Sequence, residues 1–345
     1  MGVVKLCDVA RESRLKWTKS KQDVPIVGLE HLIPNEIRFD AYDINTDNTF
    51  SKRFVKGQVL FGRRRAYQRK AAVAEFDGIC SGDITVIEAI EGKIVPELLP
   101  FIIQTPVFFD YANRGSAGSL SPRVKWEHLA DFEFELPPLE EQKVLADKLW
   151  AAYRLKEAYK KLLVATDEMV KSQFIEMFGG LCQDTPWSDV VTITNGKAYP
   201  EEYQEEGAYP ICGSGGIMCY GEKKLCNGNT TILGRKGNIN NPIFMESGYW
   251  IVDTAFSIDV DKAKLHPKFF YYWCCQYDFT KLNKQGVLPS LTRKDLEKVK
   301  MAIPQMRDQL KFVSIAEQAD KSKSVIQKAL VYLNDIQSDE LGKIA

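Results

Sequence analysis

Histidine is scarce in this sequence: His31, His128 and His266 are the only three in 345 residues, and they lie far apart. That scarcity argues against a histidine-based nucleophilic triad and against a histidine metal centre. The eight cysteines, Cys7, Cys80, Cys182, Cys212, Cys219, Cys226, Cys274 and Cys275, include no Cys-x-x-Cys pair. No metal site is therefore expected, and reduced, mostly buried thiols are. Cys212, Cys219 and Cys226 are regularly spaced, but six intervening residues are not finger spacing. No stretch approaches the roughly 18 consecutive apolar residues of a membrane span, and no signal-type segment is seen, which points to a cytoplasmic protein without membrane contact. Neither sign of charge dominates, since 46 Lys and Arg balance 46 Asp and Glu. This excludes a wholesale polybasic binder and leaves room for a local basic face. No cluster of Asp, Glu and Lys has nuclease spacing, so no catalytic residue is assigned.

What the sequence does contain is a duplication. Leu136-Pro137-Pro138-Leu139-Glu140-Glu141-Gln142 returns 167 residues later as Ile303-Pro304-Gln305-Met306-Arg307-Asp308-Gln309. Upstream, Val59-Leu60-Phe61-Gly62-Arg63-Arg64 is echoed by Ile232-Leu233-Gly234-Arg235-Lys236, and Gly118-Ser119-Leu120 by Gly286-Val287-Leu288. Such an offset is too long for a solenoid period, so the chain is a two-fold duplication of a module that ends in a helix. Two similar modules suit a two-sided partner.

The expected fold class is α+β: two mixed α/β modules related by pseudo-two-fold duplication and separated by two long antiparallel, coiled-coil-like helices. The segments are residues 1–137, a first long helix in 138–179, residues 180–304, and a second long helix with a tail in 305–345. Strand patterns lie near residues 24–27, 57–61, 83–87, 230–233 and 254–260, and amphipathic helices are expected over 96–113 and 267–279. After Pro138 about forty residues pass without Gly or Pro, a helix of about 60 Å at 1.5 Å per residue. Leu145, Leu149, Ala152, Tyr159, Leu163, Val170 and Met177 mark its apolar seam, interrupted by Lys156, Thr166 and Gln173. In the second helix Ile315, Ala319, Ser322, Ile326, Ala329, Leu333 and Ile336 keep an unbroken four-three alternation, with small residues that would let the first helix approach. Helices in globular domains average about three turns, so an inter-domain spacer is favoured over covers for each module's own core.

Residues 51–70 hold Lys52, Arg53, Lys56, Arg63, Arg64, Arg65, Arg69 and Lys70 with no acidic residue among them. A solvated surface is the ordinary meaning of a charge run. Here Gly62 precedes the three arginines and Tyr67 follows, which places them in a turn from which arginine can reach guanine O6 and N7. Lys52, Arg53 and Lys56 fit phosphate contacts, which position without specifying. In the second half Gly234-Arg235-Lys236-Gly237-Asn238-Ile239-Asn240-Asn241 holds the matching place, with Asn238 and Asn240 able to pair with adenine. Arg123 and Lys125 are matched by Arg293 and Lys294, either as phosphate contacts or as decoration of a short helix. The glycines of residues 210–217 lack the strand-to-helix setting of a dinucleotide loop, and Asn241-Pro242-Ile243-Phe244 only loosely resembles an amino-methyltransferase loop.

Taken in this order and twice over, these segments, together with Cys80-Ser81-Gly82-Asp83-Ile84 and Asp253-Thr254-Ala255-Phe256, resemble the specificity subunits of type I restriction-modification systems. The resemblance covers essentially the whole chain. It implies that each module is a target-recognition domain reading one half of a bipartite site in double-stranded DNA. It implies that the helices, 139–178 and 306–337, set the gap and dock two methyltransferase subunits as well as restriction subunits. It also implies a non-catalytic chain without cofactors of its own, S-adenosylmethionine, ATP and Mg belonging to the partners. Two departures stand out: the second helix ends earlier, leaving its last turns without a partner, and the glycine-rich segment occurs only in the second half. The alternatives are a coiled-coil adaptor that binds only protein and a diverged stand-alone methyltransferase or nuclease.

Overall fold

The computed structural model describes residues 2–282 and 290–344. The echo at Gly286-Val287-Leu288 lies outside the described residues. The chain divides into two units, one formed by Met1–Lys160 with Lys328–Ala345 and the other by Lys161–Gln327. The units therefore cut across both long helices, and each takes a module plus one stretch of either helix.

The first unit carries an antiparallel sheet in the order Ala10–Glu12, Ile84–Ala89, Val59–Gly62, Ala71–Val73. The second unit repeats it as Val191–Asn195, Ala255–Val260, Thr230–Gly234, Ile243–Met245. The central strands Val59–Gly62 and Thr230–Gly234 are buried along their whole length, which is why they read as continuous apolar or hydroxyl-bearing runs and not as alternations. Each ends in a glycine that the packing demands. A Cβ on Gly62 would meet the Lys70 carbonyl at 3.0 Å, and one on Gly234 would collide with the Asn238 carbonyl. A two-stranded ribbon closes each module, Gly2–Lys5 with Glu133–Leu136 and Thr185–Pro186 with Lys300–Met301.

The second sheets differ. Ile26–Val27 runs parallel to Gly78–Cys80 and Tyr209–Gly213 runs parallel to Trp250–Ile251, so these pairs correspond. The third strand joins opposite edges: Lys52–Phe54 pairs with Gly78–Cys80, whereas Gly216–Gly221 pairs with Tyr209–Gly213. The glycine-rich segment peculiar to the second half is the turn of that hairpin.

The helix expected over 96–113 is two helices, Leu99–Ile103 and Pro106–Arg114. Pro106 disfavours helical backbone at Thr105, whose side chain instead caps the next helix by accepting from the Phe108 N–H. Its counterpart Pro267–Gln276 is unbroken.

The long helices span Leu139–Phe178 and Met306–Leu341. Within the first unit they run antiparallel. Gln337 accepts from Lys156 Nζ at 3.2 Å and donates to the Leu149 carbonyl at 3.5 Å, while Ile344 lies across a groove from Val144 and Leu145. The second unit has the same arrangement. There Lys323 pairs with Asp167 at 2.8 Å, and Phe312 packs edge-on to Phe174 and Phe178 at 5.1 and 5.8 Å between ring centroids. The seam of the second helix is Phe312, Ala316, Ala319, Lys323, Ile326 and Leu333, so the expected Ile315 and Ser322 fall one residue to the side. Ser322 is exposed and bonds back to the Gln318 carbonyl; Ile315 and Ala329 are half-buried. On the first helix Leu145 and Leu149 are buried, and Ala152, Tyr159 and Leu163 half-buried. The last turns of the second helix do not go without a partner, because Leu341 and the buried Ile344 pack into the core of the first unit.

Four of the eight thiols are buried, Cys80, Cys212, Cys226 and Cys274, and all eight are free. The expectation of mostly buried thiols is thus met only by half, since Cys7, Cys182 and Cys275 are exposed.

Candidate nucleic-acid interface

The central strand of each sheet delivers one arginine into the same backbone cage. In the first unit the Arg63 N–H donates to the Asp83 carbonyl at 3.0 Å, and the Arg63 carbonyl accepts from the Val124 N–H at 3.0 Å. In the second, the Arg235 N–H donates to the Thr254 carbonyl at 2.8 Å, and its carbonyl accepts from the Leu291 N–H at 2.9 Å. The next residues also correspond, Arg64 bridging to Arg123 and Lys236 to Ser290.

This register corrects one match made from sequence. Arg123 and Lys125 correspond to Ser290 and Thr292, not to Arg293 and Lys294. Lys125 precedes the short helix Trp126–Ala130 as Thr292 precedes Arg293–Glu297. Arg293 is tied to Glu297 at 2.7 Å, one turn along its own helix, and Lys294 is exposed.

The basic run of the first unit is not uncompensated, because acids distant in sequence meet it. Lys52 donates to the Ile84 carbonyl at 2.8 Å and lies 3.5 Å from Glu12. Arg53 pairs with Asp77 at 3.3 Å, and the same carboxylate accepts from the Lys56 N–H at 3.0 Å. Arg69 faces Asp110 at 3.7 Å, and Lys70 donates to the Leu29 carbonyl at 2.7 Å. Asp83 is the hub: Arg123 reaches it at 2.6 Å and Arg64 at 3.4 Å. The Arg123 hydrogen bond, with help from Arg64, holds the Asp83 carboxyl below its ordinary value. Arg64 also donates to Ser121 Oγ at 3.0 Å, and Arg65 to the Leu120 carbonyl at 3.4 Å.

Arg63 is the arginine of this run left without a partner among the described residues. Its guanidinium makes no hydrogen bond or ion pair there; its Nε, like those of Arg64 and Arg65, is shielded from water without an acceptor. Arg65 and Arg69 adopt left-handed backbone at φ 54° and 52°, bracketing a single 3-10 turn that leaves Tyr67 57% exposed. Such backbone costs of order 1 kcal/mol at a non-glycine residue and concentrates at functional sites.

In the second unit Arg235, Lys236 and Asn238 are exposed. Arg235 has no acidic partner among the described residues and lies 5.9 Å from the Phe256 ring centre. Asn240 departs from expectation. Its Oδ1 accepts from the Phe279 N–H at 2.8 Å and its Nδ2 lies 3.4 Å from Asp278, so both ends of the amide hold the fold, and the paired contact that adenine needs would cost them. The segment Ile243–Met245 after Pro242 is a sheet strand.

One group of potential metal ligands occurs among the described residues, Glu30, His31 and Asp43. His31 Nδ1 accepts from the Gly28 N–H at 2.9 Å, which puts the ring proton on Nε2, where it faces Asp43 at 3.6 Å. A histidine so placed offers no lone pair to an ion. His128 is likewise structural, stacked on Tyr111 at 4.3 Å.

Sequence reasoning missed Asp77, Asp83 and Asp110, because nothing local marks an acid that serves a cation far along the chain. It also missed what Gln142 and Gln309 do. Each is buried at the start of a long helix. Gln142 accepts from the Val95 N–H at 2.9 Å and donates to the Pro137 carbonyl at 2.8 Å; Gln309 accepts from the His266 N–H at 2.8 Å and donates to the Pro304 and Lys264 carbonyls, each at 2.9 Å.

Comparison with known proteins agrees with this duplicated plan. A crystal structure of a type I restriction-modification system S subunit from M. genitalium superposes with a TM-score of 0.68 at 13% identity, covering 99% of this chain and 95% of that one. A structure described as the structural basis of complex assembly and conformational transition of the type I R-M system gives 0.58 at 17% identity, covering 99% and 96%. The type I restriction enzyme EcoDI specificity subunit of Escherichia coli is 31% identical over 132 residues, which is 36% of this chain and only 29% of that protein's length. The family described as type I restriction modification DNA specificity domain matches twice, over residues 3–163 and 183–331, once for each copy of the repeat. The chain belongs to that family.

Proposed function

We propose that this chain is the DNA-recognition subunit of a type I restriction-modification complex, each unit reading one half of a bipartite duplex site. The observation that carries the reading is the pair Arg63 and Arg235. Two modules that differ in loop sequence present an arginine from the same backbone cage, and neither guanidinium has an acidic partner among the described residues. An arginine held at a strand end and left uncompensated is suited to guanine O6 and N7 or to a phosphate. In this reading the long helices are the spacer that sets the gap, and they dock two methyltransferase subunits and the restriction subunits. The chain itself is non-catalytic; S-adenosylmethionine, ATP and Mg act on the partners. No helix among the described residues is long and apolar enough to cross a membrane, and we place the complex in the cytoplasm.

The test is selection of duplexes from a randomised library by the tagged chain with its co-purified methyltransferase, at two salt concentrations. A two-part motif with a fixed gap is expected, with affinity falling as salt rises by a slope near 0.9 per phosphate contact. Arg63→Ala and Arg235→Ala should each relax one half-site, at about 1–3 kcal/mol, roughly 5- to 150-fold in affinity. These are cleaner probes than Arg64, whose replacement also removes contacts to Asp83 and Ser121.

A protein-only adaptor is the second reading, favoured by the extent to which the basic run is already neutralised by Glu12, Asp77, Asp83 and Asp110. It predicts no salt-dependent duplex affinity in the same selection.

A further inference from the structure

Beside Arg64 and Arg65 the first unit holds an apolar residue in a place that burial does not explain. Leu120 is 89% exposed, the most exposed large apolar side chain among the described residues. A lone exposed leucine is ordinary on a protein surface. This one sits at the tip of a short loop that is fastened on both sides. Ala117 and Arg123 exchange backbone hydrogen bonds at 3.1 and 2.9 Å, and the Arg65 N–H donates to the Pro122 carbonyl at 2.8 Å. Gly118 turns the chain at φ 117°, a conformation that other residues rarely adopt. Two cations then grip the tip itself, Arg64 through Ser121 Oγ at 3.0 Å and Arg65 through the carbonyl of Leu120 at 3.4 Å. The loop is thus displayed by the basic edge, with a leucine pointed away from every core.

We propose that Leu120 reads the C5-methyl group of a thymine in the half-site of the first unit, at the edge that Arg64 and Arg65 also present. This rests on the DNA-recognition reading above. Leu120 is tied within one arginine length of Arg64 and Arg65, so whichever groove receives this edge receives the leucine too. Arginine paired with guanine is a major-groove contact, and the apolar group presented in that groove is the thymine methyl. The arginines of this edge supply hydrogen bonds and Leu120 the van der Waals surface, so the half-site of the first unit contains a thymine.

The experiment is a double cycle on the duplex recovered by selection, with the full chain and its methyltransferase. Thymines in the first unit's half-site are replaced one at a time by deoxyuridine, which removes only the methyl group. One such replacement should weaken wild-type binding about four-fold, the factor for one buried methyl-sized group. Leu120→Ala, at an exposed position that leaves the fold intact, should weaken binding similarly and abolish the response to deoxyuridine, with the other half-site unaffected. A half-site lacking thymine, a wild type indifferent to every replacement, or a Leu120→Ala chain that still responds would each overturn the proposal while leaving the DNA reading standing. Failure to select any duplex would remove both.

Discussion

Asp83 ties together three segments that the chain separates: its own turn, Arg64 at the end of the central strand, and Arg123 at the base of the Leu120 loop. Because these arginines hold the carboxyl below its ordinary value of 3.8, their contribution to stability is present above that value and is lost as the pH falls through the depressed one. The protection factors of the Ala117 and Arg123 amides, with the pH dependence of intrinsic exchange divided out, should therefore be constant from neutrality to about pH 5 and should fall below about pH 4. In Asp83→Asn they should be low throughout, and an acid response that persists in that variant would assign it to another group. The basic run was legible as a run of residues, but its neutralisation was not. Ion pairs such as Arg53 with Asp77 or Arg69 with Asp110 join positions that only the folded sheet brings together. The bonds of the Asn240 amide to Asp278 and to the Phe279 N–H were hidden for the same reason.

Among the elements, the long helices were the most legible, because a run without glycine or proline and with apolar periodicity has few other structures open to it. Their seam was less so. Lys323 and Gln337 are half-buried on the second helix, where the four-three alternation selects Ser322, which is exposed, and Ile336, which is half-buried as well. Lys156 is a similar case, its pKa lowered by burial and its Nζ held by Gln337. The repeated Gln142 and Gln309 show what the duplicated motif is for at this scale: each fastens the first turn of a long helix to the loop of its own module. Gln309→Ala would strand the His266 N–H and two carbonyls in a dry site, at roughly 1–3 kcal/mol for each unsatisfied group. Denaturant unfolding of Gln309→Ala should show that loss in the second unit; a midpoint within about 0.5 kcal/mol of wild type, as for an ordinary surface change, would contradict it. The broken helix Leu99–Ile103 and Pro106–Arg114 needed only the restriction that proline places on its predecessor.

At the scale of the whole molecule, the duplication read from short echoes is a duplication of sheet order, strand for strand, in the four-stranded sheets. What the echoes could not convey is that the third strand of the smaller sheet joins opposite edges in the two units, since edge choice depends on loops that share no sequence. If the helices are the spacer, lengthening both by seven residues, two turns or about 10.5 Å, should widen the gap between half-sites by about three base pairs and leave the bases within each unchanged. Selection with the lengthened chain reads this directly, and altered half-site bases would defeat the spacer assignment.

The division of the chain also dictates an order of events at the ribosome. The second unit is continuous, from Lys161 to Gln327, whereas the first closes only with residues 328–344, including the buried Ile344. The module translated first is thus the module completed last. Until those turns emerge, Leu145 and Leu149 of its long helix lack the buried Ile344 that completes their core, while every residue of the second unit has already been made.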